Sequence, residues 1–349
     1  MLHPNRLEEI LALLPQKRIL VVGDFFLDKY LMLDRRLSEI SLETGLEAYQ
    51  VTEKRVSPGA AGTVVNNLRA LGVEVTALSV IGADGEGYEL KRALSAQKVD
   101  IDHLLEAPNR FTPTYTKAMM RESDGRTREL NRFDIKNRSP QPDDLQQEII
   151  SRLQALAANV DGIIVADQVP EPDCGVITGR VRQAIIALGS QTSGPLITVD
   201  SRERIGLFKH VILKPNAAEA LKALGAEQAG EQPSLAAAQA AGEVLSRRSG
   251  KPVFVTLGER GMLLVSGDGA EIAPALPVDG PVDIVGAGDS VIAALTAGLC
   301  CGATPLEAAC LGNLAAFVTI QQLGTTGIVS PEQLRWANKG ERQPYLIAE

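Results

Sequence analysis

The residues with the clearest potential for chemistry form the run VDIVGAGDS, from Val282 to Ser290. Three small residues there allow a tight turn: Gly286, Ala287 and Gly288. The apolar stretch 291–299 predicts a helix behind the turn, and backbone N–H groups at a helix start bind phosphate and stabilise its developing charge. Asp289 would accept a proton from an attacking hydroxyl. A Gly-rich turn with Asp289 as an ordinary helix cap explains the same residues equally well.

Carboxylates and small residues also follow the first predicted strand, 19–22. Asp24 and Asp28 are well placed to hold neighbouring hydroxyls of a ligand, although each taken alone is also a typical turn or helix cap. The run SPGAAGTVVNN at 57–67 again opens a predicted helix with small residues. Such residues let the backbone approach a ligand closely, and they equally permit tight packing of a helix on a sheet.

Two loops after later predicted strands carry candidates for binding a nucleotide. The run LKPNAAE follows strand 211–213, and its Asn216 and Glu219 have the spacing of a capping box. In the alternative interpretation they orient water around a Mg²⁺–nucleotide complex, since Mg²⁺ usually keeps several waters. The loop after strand 253–256 is bounded by glycines that allow approach to phosphate oxygens. The two commonest nucleotide-binding motifs are absent: the sequence has no GxxxxGK(S/T), and no GxGxxG follows the first strand.

Short β-branched runs, each followed by a helical pattern, must position these loops. Continuous apolar strands that alternate with helices predict a parallel sheet covered on both faces, and such sheets bind ligands beyond the carboxyl ends of their strands. Residues 33–57 and 112–135 break the pattern because they are polar and alternating. They predict a small side sheet that serves as a lid or a dimer surface. A pair of surface hairpins without a role is the alternative.

The composition limits the classes of function. The chain has 349 residues and a formal net charge of -8, with 45% hydrophobic and 4% aromatic residues. An acidic chain with few aromatic residues gains little from binding nucleic acid or an anionic membrane, so we expect neither partner. The 4 cysteines form no CxxC pair, which argues against a disulfide framework or structural zinc. Without a signal peptide or a membrane-spanning run, we expect a cytoplasmic protein.

Taken together and in this order, the motifs resemble the ribokinase-like, phosphofructokinase-B type family of carbohydrate kinases over about residues 17–337. The most specific element, DIVGAGD at 283–289, is similar to the family signature D-T-x-G-A-G-D. The resemblance implies an α/β fold in three layers, with a doubly wound, mostly parallel sheet and a small β lid, in one domain over 1–349. It also implies transfer of the ATP γ-phosphate to a carbohydrate hydroxyl, with Asp289 as base, the 286–289 amides as anion hole, and Mg²⁺.

Other positions acquire roles from the same resemblance. The positions near Mg²⁺ and the phosphates are Lys214, Asn216 and Glu219. Those of the nucleotide loop are Thr256, Gly258, Glu259 and Gly261. Asn313 and the segment 324–326 fall at the adenine pocket, while Asp283 and Val285 fall where many members bind a monovalent cation such as K⁺. The implied acceptor-binding positions are Asp24, Asp28, Gly59, Thr63, Asn67, Lys117, Arg132 and Asp167.

Within the family, the nearest likeness is to the bacterial heptose-phosphate kinase domain of ADP-heptose synthesis. GDxxLDxY at 23–30 and ISLE at 40–43 resemble motifs of that group. The adenylyltransferase domain fused to some of those kinases has no counterpart here, so we expect the kinase step alone. The resemblance also implies a homodimer through the lid and a small-molecule sugar or sugar phosphate as substrate.

Several positions depart from the family pattern. Thr63 stands where a sugar-contacting Asn is usual, Ala60 replaces a Gly, and Val285 replaces a Thr. Glu39 stands where the heptose kinases tend to have Arg, which disfavours a phosphorylated substrate there. The resemblance therefore indicates a reaction and leaves the sugar open. The alternatives are a non-catalytic sugar- or nucleotide-binding protein that kept the fold, and a nucleoside kinase of the same fold.

Overall fold

The computed structural model describes residues 1–226, 233–324 and 326–340. Its helices are α1 (Pro4–Leu13), α2 (Ala61–Ala70), α3 (Gly85–Ala96), α4 (Asp143–Ala157), α5 (Gly179–Gly189), α6 (Ala217–Lys222), α7 (Leu235–Ser249), α8 (Ala287–Cys300), α9 (Pro305–Thr319) and α10 (Pro331–Asn338). Its strands are β1 (Arg18–Gly23), β2 (Phe25–Asp34), β3 (Glu39–Ile40), β4 (Glu47–Ala48), β5 (Val51–Ala60), β6 (Glu74–Gly82), β7 (Asp100–Ala107), β8 (Thr114–Arg121), β9 (Thr127–Ile135), β10 (Gly162–Asp167), β11 (Leu196–Ser201), β12 (Ile212–Leu213), β13 (Val253–Thr256), β14 (Met262–Ser266) and β15 (Gly269–Ala273).

The largest sheet has the strand order β15-β14-β13-β12-β11-β10-β1-β6-β7. From β13 to β7 in this order the neighbours are parallel, and β14 and β15 are antiparallel additions at one edge. Parallel strands are covered on both faces, which explains why β10, with the sequence GIIVAD, is buried along its whole length. The predicted α/β fold with a mostly parallel sheet is confirmed.

Apolar side chains alternate between the two faces of this sheet and form two cores. Ile19 and Val21 belong to a core that includes residues of α1, α2, α8 and α9. Leu20 and Val22 belong to the other core, with residues of α4, α5, α6 and α7. The sheet thus lies between two helical layers, as the resemblance implied. None of the helices in the described ranges is long and apolar enough to cross a membrane.

A second sheet, which we call the lid, has the strand order β5-β2-β8-β9. It continues directly from β1, because β2 begins at Phe25, earlier than the predicted stretch 33–57. Gly23 permits this passage: its φ is +150°, and a Cβ there would overlap the backbone of Ala166. The short hairpin β3–β4 forms a separate two-stranded sheet between β2 and β5 in the chain.

Candidate active site

The turn before α8 is built around Gly286, whose φ of +81° lies in the left-handed region that favours glycine. A Cβ at this position would lie 2.5 Å from Cγ2 of Thr326 and 3.2 Å from Cγ2 of Thr63. The turn therefore packs against the first turn of α2 with no space for a side chain. The first N–H groups of α8 have no acceptor within the helix, and the positive end of the helix dipole suits an anion.

Asp289 lies in the first turn of α8 and is half-buried. Burial raises the pKa of its carboxyl group to about 7, and the negative charges of Asp200 and Asp28 add to the rise. The positive charges of Lys214 and Arg202 oppose this rise in pKa without cancelling it. A carboxylate that binds protons near neutral pH has the property that a general base requires.

A buried ion pair accompanies Asp289. Lys214 follows β12, Asp200 ends the apolar part of the neighbouring β11, and Lys214 Nζ lies 3.0 Å from Asp200 Oδ2. Burial works to lower the pKa of Lys214, but the charges of Asp200 and Glu219 outweigh it, so the pKa lies above its usual value. The lysine therefore keeps its positive charge in the interior.

The start of α6 carries the predicted capping box. Asn216 Oδ1 accepts a hydrogen bond from the N–H of Glu219 at 2.8 Å, and Glu219 Oε2 accepts one from the N–H of Asn216 at 2.8 Å. Burial and the charge of Asp200 raise the pKa of Glu219. The capping box, one of the two interpretations of the sequence, is present. The role of both residues toward Mg²⁺ stays a prediction.

The loop after β13 turns at two glycines, Gly258 with φ +62° and Gly261 with φ +90°. The N–H of Leu257 donates to the carbonyl of Gly261 at 2.8 Å and closes the loop. Thr256 and Glu259 lie at its start and at its tip. This geometry exposes backbone at the carboxyl end of a strand, where a parallel sheet binds its ligands.

Asn313, predicted to line the adenine pocket, lies on α9. Its Nδ2 donates to the carbonyl oxygens of Ala273 at 2.8 Å and Pro274 at 3.2 Å. The amide thus fastens the end of β15 to α9, and its contact with a nucleotide stays a prediction. Of the neighbouring segment 324–326, Thr325 lies outside the described residues.

Asp28 lies on the lid strand β2 opposite Ser57 of β5, and its carboxylate reaches Gly59 of the same strand. A Cβ on Gly59 would overlap the Asp28 carboxylate, so the glycine makes room for it. Burial raises the pKa of Asp28, while the charges of Lys117 and Arg132 act against the rise. Because Asp28 in turn influences the pKa of Asp289, the carboxyl groups of Asp28 and Asp289 lie within electrostatic range of each other.

Lys117 and Arg132 face each other across β8 and β9. Lys117 Nζ lies 3.3 Å from the hydroxyl oxygen of Tyr30, which is its register partner on β2. Arg132 Nε pairs with Asp134 Oδ1 at 2.6 Å. Since alternate residues of a strand share a face, Asp28, Lys117 and Arg132 lie on the same face of the lid.

The carboxylate of Asp24 accepts hydrogen bonds from the backbone. It is 2% exposed, and its oxygens accept hydrogen bonds from the N–H groups of Gln168 at 2.7 Å, Val169 at 2.9 Å and Val176 at 2.7 Å. Burial raises its pKa to about 6, and the charge of Asp167 adds to the rise. Asp24 thus fastens the loop after β10 to the start of the lid, and its binding of a sugar hydroxyl stays a prediction.

Two further predicted acceptor residues are interior. Asp167 is 1% exposed and receives Arg204 in a bidentate pair, Nη2 to Oδ1 at 2.6 Å and Nε to Oδ2 at 3.1 Å. Asn67 is fully buried, and its Nδ2 donates to the carbonyl oxygens of Thr63 at 3.0 Å and Gly327 at 3.3 Å. In this conformation both side chains serve internal hydrogen bonds rather than the open cleft, because they lie below the surface.

Comparison with known proteins shows the family to which the chain belongs. Residues 16–332 match the sequence model described as "pfkB family carbohydrate kinase". The chain belongs to this family of carbohydrate kinases. It is 33% identical over 318 residues to "Bifunctional protein HldE" of Citrifermentans bemidjiense and 31% identical over 331 residues to that of Geotalea uraniireducens. These matches cover 91% and 95% of the chain but 62% and 64% of the relatives, so the chain spans less than two thirds of their length.

Solved structures of other kinases share the fold. Phosphofructokinase-2 from Escherichia coli, in complex with potassium, has a TM-score of 0.72 at 20% identity, over 93% of this chain and 100% of that chain. Ribokinase of Arabidopsis thaliana, complexed with ribose and ATP, has a TM-score of 0.65 at 20% identity, over 93% and 99%. The ribokinase-like fold predicted for this pfkB-family kinase is confirmed.

Three charged residues that contact candidate residues or their neighbours were not predicted from the sequence. Asp200 pairs with Lys214, Arg204 pairs with Asp167, and Arg202 Nε donates to Gln168 Oε1 at 3.0 Å. A signal was available, because the charged run DSRER at 200–204 directly follows an apolar strand. Charged residues at a carboxyl strand end are placed toward the ligand side of a parallel sheet.

Two residues that depart from the pfkB pattern, Ala60 and Val285, have local geometry that the structure describes. Ala60, which replaces a Gly, has a φ of +52°, a conformation that side chains rarely adopt. Asp283 Oδ1 accepts a hydrogen bond from the N–H of Val285 at 3.1 Å, and Val285 is exposed. In the described ranges, no group of three or more His, Cys, Asp and Glu residues could hold a metal ion. The cation site at Asp283 and Val285 stays a prediction.

Proposed function

We propose that the protein is an ATP-dependent kinase that transfers the γ-phosphate of ATP to a hydroxyl of a sugar or sugar phosphate. The observation that carries this proposal is the position of Asp289. A carboxyl group with a pKa of about 7 lies in the same helical turn as N–H groups that lack partners within the helix. Phosphoryl transfer to a hydroxyl requires a base and an anion-binding group at one place.

In the proposed reaction, Asp289 accepts the proton of the attacking hydroxyl as its oxygen bonds to the γ-phosphorus of ATP. The bond from this phosphorus to the β–γ bridging oxygen breaks, and ADP leaves. The N–H groups of residues 286–289 stabilise the negative charge of the group in transfer. Asp28 accepts hydrogen bonds from acceptor hydroxyls on the lid side. Closure of the lid excludes water, which otherwise competes as the acceptor.

The nucleotide would lie along the loop after β13 and the neighbouring α9. The residues we assign to it are Thr256, Gly258, Glu259, Gly261 and Asn313. Lys214, whose side chain is 3% exposed, would act on the phosphates through its charge rather than by direct contact. Asn216 and Glu219 would hold Mg²⁺ through water, and this set of one amide and one carboxylate fits an ion that keeps most of its waters. When bound, Mg²⁺ neutralises phosphate charge. Asp283 and Val285 would hold K⁺ with carboxylate and backbone oxygens.

The charged residues of the lid affect whether the acceptor can carry a phosphate. Among the described residues Lys117 forms no ion pair, so its ammonium would pair with a phosphate carried by the substrate. Arg132 already shares its charge with Asp134. Glu39 is exposed on the hairpin β3–β4, and if it faces the acceptor as the resemblance implies, its charge would oppose such a phosphate. We therefore keep both sugars and sugar phosphates in the proposed substrate class.

The hairpin β3–β4, which lies in the chain between the lid strands β2 and β5, supports the proposal of a homodimer through the lid. Ile40, Leu42 and Leu46 are largely exposed around its tip. Apolar side chains in such a cluster are typical of an interaction surface. A second copy of the chain is the partner that we propose for this surface.

The function is tested with purified protein, ATP, Mg²⁺, K⁺ and a panel of sugars and sugar phosphates. Acceptor-dependent ADP release is measured for wild type and for Asp289→Asn. The variant should lose turnover by about 10³-fold or more and still bind ATP. Asp268→Asn, in the exposed turn between β14 and β15, is the matched control and should retain full turnover.

Two results would count against the proposal. Full activity of Asp289→Asn would remove this residue from its role as base. Calorimetric binding of a sugar by wild type with no turnover of any acceptor would favour a binding protein that kept the fold.

A further inference from the structure

The ion pair between Asp200 and Lys214 lies beneath the catalytic turn rather than in the open cleft. The two side chains are 12% and 3% exposed, so they offer little surface to a ligand. A buried ion pair contributes little to stability compared with apolar side chains of similar size, because both charges lose their hydration. Its presence at this position therefore points to a purpose other than stability.

The pair touches the start of α8. A Cβ on Gly288 would lie 3.6 Å from Lys214 Nζ, so the ammonium lies against the backbone next to Asp289. The two partners act on the base in opposite directions: Lys214 favours the ionised carboxylate of Asp289, and Asp200 disfavours it. The charged groups that face Asp289 or its lysine neighbour are Asp28 on β2, Asp200 and Arg202 at the end of β11, Lys214 after β12, and Glu219 on α6.

We propose that the Asp200–Lys214 pair is an electrostatic support of the catalytic turn, in which two opposite buried charges together poise Asp289 to accept a proton. The inference rests on the proposed function, since it takes Asp289 as the base. Lys214 acts through the turn and through Asp289, so in this respect it is a positioning residue. A purely structural pair would give two variants with the same defect, whereas an electrostatic support gives two variants with opposite effects.

The test follows Asp289 directly by NMR, with ¹³C at the aspartate carboxyl carbons of the full chain. The signal of Asp289 is the one that Asp289→Asn removes. We expect Asp200→Asn to lower the pKa of Asp289 by about one unit and Lys214→Met to raise it by about one unit. In the acceptor assay, the first variant should then gain up to about fivefold in kcat at pH 6, and the second should lose about fivefold at pH 7 and recover at higher pH.

The controls distinguish an effect of the lost charge on the pKa of Asp289 from an effect of misfolding. The double variant Asp200→Asn/Lys214→Met leaves no unpaired buried charge and should return the pKa of Asp289 close to the wild-type value. Lys17 and Asp161 form a more exposed pair, at 3.5 Å, and they directly precede β1 and β10, at the amino ends of these strands. Lys17→Met and Asp161→Asn should leave the pKa of Asp289 unchanged.

Shifts of the same sign in the two single variants, or shifts no larger than those of the control pair, would overturn the inference. The NMR titration needs no substrate. Failure of the proposed function, seen as a wild type without acceptor-dependent turnover, is therefore distinguishable from failure of the electrostatic support.

Discussion

Replacing Asp289 with Asn should make the protein more stable while it removes activity. The variant keeps the shape of the side chain and eliminates an ionisation that the folded state disfavours. The pKa of Asp289 is about 7, against an ordinary value of 3.8. At about 1.4 kcal/mol for each unit, a fully buried group would cost about 4 kcal/mol at high pH. Because Asp289 is only half-buried, solvent screening reduces the expected gain to about 2 kcal/mol at pH 8.

The raised pKa of Asp289 also fixes the sign of the pH dependence. A carboxyl group with a higher pKa in the folded state holds its proton more tightly there, so wild type loses stability as the pH rises from about 4 to about 7. Asn does not titrate, so the advantage of Asp289→Asn should grow over this window and stay constant above it.

Urea unfolding of both proteins at pH 5 and pH 8 measures this difference in the free energy of unfolding. Asp268→Asn, an exposed substitution of the same type, should show no difference at either pH. An Asp289→Asn variant whose advantage over wild type is absent, or is the same at both values of pH, would refute the argument from burial.

Three other substitutions test the surroundings of the site. Asp24→Asn turns an amide N–H₂ toward a backbone N–H group but also removes a buried charge, so it should lower the free energy of unfolding by only about 1–2 kcal/mol in urea titrations. A variant more stable than wild type would show that the buried charge outweighs these hydrogen bonds. Gly59→Ala should displace the Asp28 carboxylate and raise KM for the acceptor about tenfold, and an equal rise in KM for ATP would contradict a role confined to the acceptor. Ala60→Gly relieves the backbone strain of a φ of +52° and should stabilise the protein by about 0.5–1 kcal/mol. The gain is not larger because glycine loses more backbone entropy on folding. A destabilised Ala60→Gly would show that the backbone is unstrained at this position.

The central sheet was predictable because its strands are buried on both faces. Such burial requires continuous apolar residues, as in β1 and β10, and these runs stand out from the helical patterns between them. The turn at 286–289 was predictable for a local reason as well. Gly286 is needed where the chain bends against Thr63 and Thr326, and a glycine at a bend is visible in the sequence itself.

Features that depend on which strands become neighbours were not predictable. Asp200 and Lys214 are distant in sequence, and they meet because β11 and β12 are adjacent in the sheet. Asp24 and Asp28 looked equivalent, yet one accepts three backbone hydrogen bonds and the other lies on the lid. Only the folded course of the loop after β10, which brings N–H groups to Asp24, distinguishes the two.

The direct passage from β1 into β2 has a mechanical consequence. Asp24 at this junction accepts hydrogen bonds from three N–H groups, so a swing of the lid about the junction would have to break them. At its other end, β5 runs straight into α2, whose Thr63 packs against Gly286. The lid is thus continuous in the backbone with α2, and α2 in turn contacts the turn at 286–289 through Thr63, so we expect removal or exchange of the lid to disturb the helix that supports this turn.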